Sequence, residues 1–290
     1  NYPYANFISS LIYSKKIWTR TRRRYSMRKF LEKFYTILVF IFLYAPIIVM
    51  IIFSFNDSKL RGRWVGFTSN WYKELFSNPE IISAVKTTLI VAVVATVIAT
   101  FIGTLSAIGI SELRGKKRNM VLNINYLPVL NPDIITAISL MGLYGFLKLN
   151  LGYITLILSH VMFCIPYVVL TVLPAVEAMD KNIIEAALDL GATPSYAVRN
   201  VLIPNIKNGI FAGALISFTL SLDDFAISYF TSGNGVSNLS MTIYAMARRG
   251  INPSINALSA IIFVVVFIFL LIQNRKVIFG KDKNPTSFMP

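Results

Sequence analysis

Runs of about twenty apolar residues recur along most of this chain, and no other feature restricts its fold as strongly. Each run is long enough to cross the ~30 Å of hydrocarbon in a bilayer. Six spans follow, at about 31–55, 83–110, 120–147, 153–176, 209–230 and 255–272. The expected fold is therefore an all-α membrane protein with six transmembrane helices. A hydrophobic share of 55% and a mean hydropathy of +0.63 exclude a soluble domain of ordinary composition. In span two, Ala92, Ala95, Ala99, Gly103 and Ala107 recur every three or four positions, which predicts a face for close helix packing. Span three is interrupted by Pro128, Asn131, Pro132 and Asp133. Between the first two spans, Trp64, Trp71 and Tyr72 suit a membrane interface.

Six spans place both termini on one side, and basic residues decide which side that is. Of the 28 Lys and Arg, only Lys59, Arg61, Arg63, Lys73, Lys86, Lys148, Arg248 and Arg249 fall on the side away from the termini. The positive-inside rule makes the termini cytoplasmic, together with the connections at 112–119 and 177–208. The same topology accounts for the net charge of +15 without nucleic acid. Residues 1–26 form a basic stretch that is either an upstream extension or part of the working subunit. Residues 27–280 read as the six-span domain and 281–290 as a cytoplasmic tail.

Three acids stand out in or beside the apolar spans: Asp133, Asp223 and Asp224. An ionisable group at mid-membrane costs ~2.5–3.5 kcal/mol on insertion scales, so it needs a partner, water or a function. No Lys or Arg lies within the six apolar cores to neutralise them. They are either solvated or paired structural acids, or the lining of a path for a cationic solute. On a continuous helix, neighbours differ by ~100°, so Asp223 and Asp224 should not face that path equally. His160 and Cys164 are one turn apart, but two ligands without a third read as a packed polar face, not a metal site. Tyr126, Tyr144 and Tyr229 are weaker candidates for stacking on a cationic amine. No nucleophile–base pair and no G-x-x-x-x-G-K-[ST] phosphate loop occur, so an enzyme is not expected and any ATP belongs to a partner.

The segment 180–208, DKNIIEAALDLGATPSYAVRNVLIPNIKN, reads as two short helices with punctuation between them. Gly191 suits a helix C-terminus, Thr193 an N-cap and Pro194 the first helical position after it. Its Glu185-Ala186-Ala187, then Gly191, then Val201-Leu202-Ile203-Pro204 resemble the EAA loop of ABC importer permeases. The resemblance extends from about Met27 through span six. S-F-N at 54–56, the W-x-G-F-T and W-Y pattern over 64–72, P-D-I at 132–134, S-F-T-L-S-L-D-D at 217–224, I-Y-x-M and N-A-L-S are similar to the permease subunits of spermidine/putrescine importers.

That resemblance implies a type I ABC importer permease fold, with Glu185, Ala186, Ala187, Gly191 and Pro204 coupling to an ATPase. It implies a bacterial inner-membrane protein with several partners: a cytoplasmic ATPase dimer, a homologous second permease and an external polyamine-binding protein, all within membrane lipid. ATP would be bound by the ATPase subunits, and no cofactor by this chain. An ABC permease for another small solute is one alternative. A secondary transporter or cation channel is another, which would explain the acids but not the EAA spacing.

Overall fold

Asn78 and Pro79 start the longest helix among the described residues. The Asn78 carboxamide oxygen accepts from the backbone N–H of Glu80 at 2.9 Å and of Ile81 at 3.4 Å, while Pro79 occupies a position whose N–H would have no partner. The computed structural model describes residues 29, 31–58, 63–180, 182–249 and 253–273. Its helices are α1 (Leu31–Phe53), α2 (Asn70–Ser77), α3 (Pro79–Glu112), α4 (Gly115–Leu130), α5 (Asp133–Phe146) and α6 (Tyr153–Glu177). They continue as α7 (Asn182–Asp189), α8 (Pro194–Ala197), α9 (Ile203–Asp223), α10 (Ala226–Thr231), α11 (Leu239–Arg249) and α12 (Pro253–Gln273). The stretches 1–26 and 281–290, read from the sequence as an extension and a tail, lie outside the described residues.

Among the described residues, α1, α3, α6 and the continuous run Pro194–Asp223 are each long and apolar enough to cross a membrane. Taken together, α4 and α5 are also long and apolar enough, but they bend by 105° at the Asn131–Pro132 break, the geometry of a broken span or a re-entrant loop. The sixth expected span, about 255–272, is helical throughout as part of α12.

The chain divides into two compact units. One comprises Asn1–Lys73 and Asn252–Pro290, and within its described residues Asn56 is buried. Asn56 pairs with Phe67 as an isolated antiparallel bridge, donates to Arg63 O at 2.8 Å and accepts from Val65 N at 2.9 Å. The Trp71 indole N–H donates to Asn56 O at 2.9 Å, and Ser54 Oγ is 2.6 Å from the Tyr72 hydroxyl. Phe55 stacks on Phe67 with centroids 5.2 Å apart. The S-F-N, W-x-G-F-T and W-Y motifs thus close one small loop. Trp71 is buried in it, so of the aromatics expected at a membrane interface, this one packs inside the protein.

The second unit, Glu74–Ile251, is built on α3, α6 and α9 packed together. Ala92, Ala95, Ala99 and Ala107 are all fully buried, as their spacing predicts. A Cβ on Gly103 would lie 2.7 Å from Val168 Cβ, and one on Gly213 would lie 3.3 Å from Val168 Cγ1. Val168 of α6 is therefore a wedge seated between α3 and α9. Lipid gives no hydrophobic drive for helices to associate, so close contacts of this kind hold the unit together.

Two sequence expectations need correction here. The second half of the 180–208 segment is not a separate short helix: α8 runs through a π turn at Val198–Leu202 directly into α9. Pro204 explains the turn. It lacks an N–H and its ring crowds the carbonyl four residues back, and the wider π turn, with Ile203 N–H bonded to Val198 O, relieves that crowding. Span five is also not one helix over 209–230. It ends at Asp223, Asp224 is extended at φ −64° and ψ 128°, and α10 is separate.

Candidate functional site

The 180–208 segment is the more local of two candidate regions. Helix α7 ends in a Schellman turn: Ala192 N–H bonds to Ala187 O at 3.1 Å and Gly191 N–H to Leu188 O at 2.9 Å. Gly191 has φ +86°, where a side chain is strained. Thr193 Oγ1 then accepts from Tyr196 N–H at 3.3 Å and caps α8. The turn forms a shallow cavity of about 500 Å³ lined by Ala187, Leu190, Gly191, Ala192, Thr193 and Tyr196. Leu190 is 90% exposed, and Ile183, Leu188 and Tyr196 are exposed beside it. Glu185, Ala186 and Pro204 are exposed too, while Ala187 is half-buried against the cavity. Apolar side chains gathered on an exposed turn have the character of a contact surface.

The second region lies where α9 breaks. The two adjacent aspartates part company there. Asp223 ends α9 with an exposed side chain that forms no ion pair or side-chain hydrogen bond among the described residues. Asp224, 9% exposed, turns inward to meet the start of α10. Its Oδ1 accepts from Ile227 N–H at 3.2 Å, and its Oδ2 accepts from Ser228 N–H at 2.8 Å and the Ser228 hydroxyl at 2.9 Å. The expectation of one continuous helix with acids ~100° apart is therefore replaced by a sharper division. Asp224 has left the helix and acts as a cap.

Around that cap the polar groups of Asn238, Ser228 and His160 pair with one another. Asn238 donates both amide hydrogens, to Asp224 O at 2.9 Å and to Ser228 Oγ at 2.7 Å. Its oxygen accepts from Met241 N–H at 2.9 Å and caps α11. The next residue, Leu239, donates its N–H to Thr88 Oγ1 of α3 at 2.8 Å. His160 of α6 lies beneath, 1% exposed, with Nδ1 2.7 Å from Ser221 Oγ and Nε2 3.0 Å from Ser228 Oγ and 3.6 Å from Asp224 Oδ2. One turn on, the Cys164 thiol donates to Ser217 O at 3.5 Å. Both side chains serve as the packed polar face expected of them. Ser221, Ser228 and Asn238 were not singled out in the sequence. An Asp three and four residues ahead of Ile227 and Ser228, and an Asn three ahead of Met241, are the cap spacings that mark them.

Asp133 opens α5 immediately after the 105° bend. It is exposed, and its side chain forms no hydrogen bond or ion pair among the described residues. Asp133 and Asp223 are thus free carboxylates at interruptions of apolar helices, and Asp224 is an internal one. Free carboxylates can attract a cation; one that already accepts three hydrogen bonds has little left to offer.

Residues 99–277 match the family model described as "binding-protein-dependent transport system inner membrane component". The chain belongs to this family. The permease is 36% identical over 248 residues to the Escherichia coli K12 "spermidine/putrescine transport system permease protein PotC", covering 86% of this chain and 94% of the relative. It is 38% identical over 237 residues to the "putrescine transport system permease protein PotI" of the same organism, covering 79% and 84%. A PotC homolog of Mycoplasma genitalium is 27% identical over 254 residues, covering 82% and 88%. Among solved structures, the permease superposes on a chain of a bacterial alginate ABC importer with TM-score 0.68 at 20% identity, over 90% of this chain and 98% of that one. A chain of an amino acid ABC transporter with histidines gives 0.52 at 20% identity, over 71% and 97%. These likenesses give the fold as that of ABC importer permeases.

Proposed function

We propose that this permease carries polyamines of the spermidine and putrescine type, passing them between itself and a homologous second permease. The observation that carries this reading is the pair of free carboxylates, Asp133 and Asp223, at the two places where apolar helices break. It is supported by the spermidine/putrescine names of the relatives that match over most of their length. A polyamine entering a partly dehydrated passage loses hydration. A carboxylate 4 Å away returns ~4 kcal/mol at an effective dielectric of 20, against ~1 kcal/mol in water, enough to assist passage without trapping the solute. An external binding protein delivers the solute, and ATP binds and is hydrolysed on a cytoplasmic ATPase dimer. The turn of Ala187, Leu190, Gly191 and Tyr196 is the contact surface for that ATPase. This assignment puts the termini and the turn in the cytoplasm, as the distribution of Lys and Arg favours.

The test is uptake of radiolabelled spermidine by the assembled importer, in wild type and in D133N and D223N. Asn keeps shape and hydrogen bonding while removing charge. Each variant should lose about tenfold or more of uptake at unchanged membrane abundance, the equivalent of ~1.4 kcal/mol. Wild-type rates in both variants and in their combination would show that these acids do not serve the path.

A further inference from the structure

The hydrogen bonds around His160 assign each proton. Ser228 has one hydroxyl hydrogen, which goes to Asp224 Oδ2, and one of its lone pairs accepts from Asn238. Only a lone pair remains towards His160, so Nε2 must carry a proton and donate to it. In the neutral ring, which carries one proton, Nδ1 is then the acceptor for the Ser221 hydroxyl. The ring therefore bridges the break: it holds the last turn of α9 through Ser221 and the first turn of α10 through Ser228. Asp223 follows Ser221 by two residues, or ~200° around the helix, so drawing Ser221 inward sends Asp223 outward. Asp224, just past the helix end, is drawn in with Ser228.

We propose that His160 is a positioning residue for transport, which separates the two aspartates and leaves Asp223 as the carboxylate that meets the solute. This rests on the acidic-path reading above. His160 itself touches no solute, being 1% exposed and fully engaged with Ser221 and Ser228.

The experiment measures spermidine uptake by the reconstituted importer in H160A, H160Q, D223N and the double variant H160A/D223N. Unstimulated ATP hydrolysis and membrane abundance are followed in parallel. H160A should lower maximal uptake about fivefold or more, with the half-saturating concentration of loaded binding protein and unstimulated hydrolysis within about twofold of wild type. Gln offers a donor and an acceptor in place of the ring, and H160Q should recover at least about half of the rate. In the D223N background, H160A should add less than about twofold, because the group it positions has already lost its charge.

Wild-type uptake by H160A overturns the proposal. So does a full, independent loss added to that of D223N, which is what general damage to packing would give. Should H160A fail to reach the membrane, H160Q decides: normal abundance with partial uptake supports positioning, and absence assigns the ring to folding alone. Wild-type uptake by D223N overturns the proposal too, since Asp223 would then not meet the solute; only wild-type uptake by D133N and the D133N/D223N combination as well would sink the acidic-path reading itself.

Discussion

At Gly191 the chain turns and leaves its side chains outside; at Asp224 it turns and buries them. The first turn is closed by backbone bonds within a dozen residues, and Leu190 is left 90% exposed beside it. The second draws on Thr88 of α3, His160 of α6, Ser221 of α9, Ser228 of α10 and Asn238 before α11. An outward turn can be remade or docked upon without disturbing the spans. An inward turn shares its polar groups with α3, α6 and the start of α11, and where water is scarce an unpaired group has no substitute partner.

The strongest way to break this contrast is to remove the acceptor at the inward turn. Asp224→Leu leaves the N–H groups of Ile227 and Ser228 and the Ser228 hydroxyl without their acceptor. At ~1–3 kcal/mol for each buried group left unpaired, the loss is several kcal/mol. The expected outcome is a sharp fall in membrane abundance and in the thermal midpoint of the purified importer. Normal abundance would show that the break tolerates unpaired groups and is wetter than its burial implies.

A smaller and more selective effect is expected at the outward turn. A Cβ on Gly191 would meet no heavy atom within 4 Å, so Gly191→Val acts through the backbone alone. Holding a β-branched residue at φ +86° costs ~1–2 kcal/mol or more. The membrane spans should insert normally while ATPase co-purification and spermidine uptake fall together. Asn tolerates the left-handed region, so Gly191→Asn should keep most of both. Equal losses in the two variants would mean that bulk at the contact surface matters, not the conformation of the turn.

How far each region was legible in the sequence follows from the same contrast. Gly191, Thr193 and Pro194 were readable because a C-terminal glycine, an N-cap and a first-turn proline work through neighbours in the chain. The buried face of Ala92, Ala95, Ala99 and Gly103 was readable because helical spacing puts small residues on one side. Asp223 and Asp224 were recognised as unusual, but their division was not, because it depends on Ser221 and Ser228 meeting a ring 61 and 68 residues away. The break after Asp223 was hidden for a related reason. The sequence S-L-D-D-F-A-I-S carries no proline or glycine, and the cap that ends one helix and starts the next is visible only once Asp224 is known to turn in. The π turn ahead of Pro204 was missed because a proline there reads equally well as a helix start.

The smallest effect is expected where the second unit has its one ion pair between full charges among the described residues, Arg118 of α4 with Glu177 at the end of α6. It adjoins the 180–208 segment proposed to meet the ATPase, so a role in transmitting motion from that subunit is a natural suspicion. Its setting argues against that role. The two side chains are 34% and 42% exposed, so water already solvates both charges and salt screens their attraction. Exposed pairs of this kind contribute ~0–1 kcal/mol, much of it offset by ordering two long side chains. Arg118→Ala should therefore change the thermal midpoint of the importer only slightly and leave the ratio of solute moved to ATP hydrolysed unaltered. Arg118→Ala, Glu177→Ala and their combination, compared at low and high salt, make the measurement decisive. A pair that only decorates the surface gives three similar variants at high salt. A double variant that restores coupling lost in both singles would make this surface pair a working part of the joint between α6 and the outward turn.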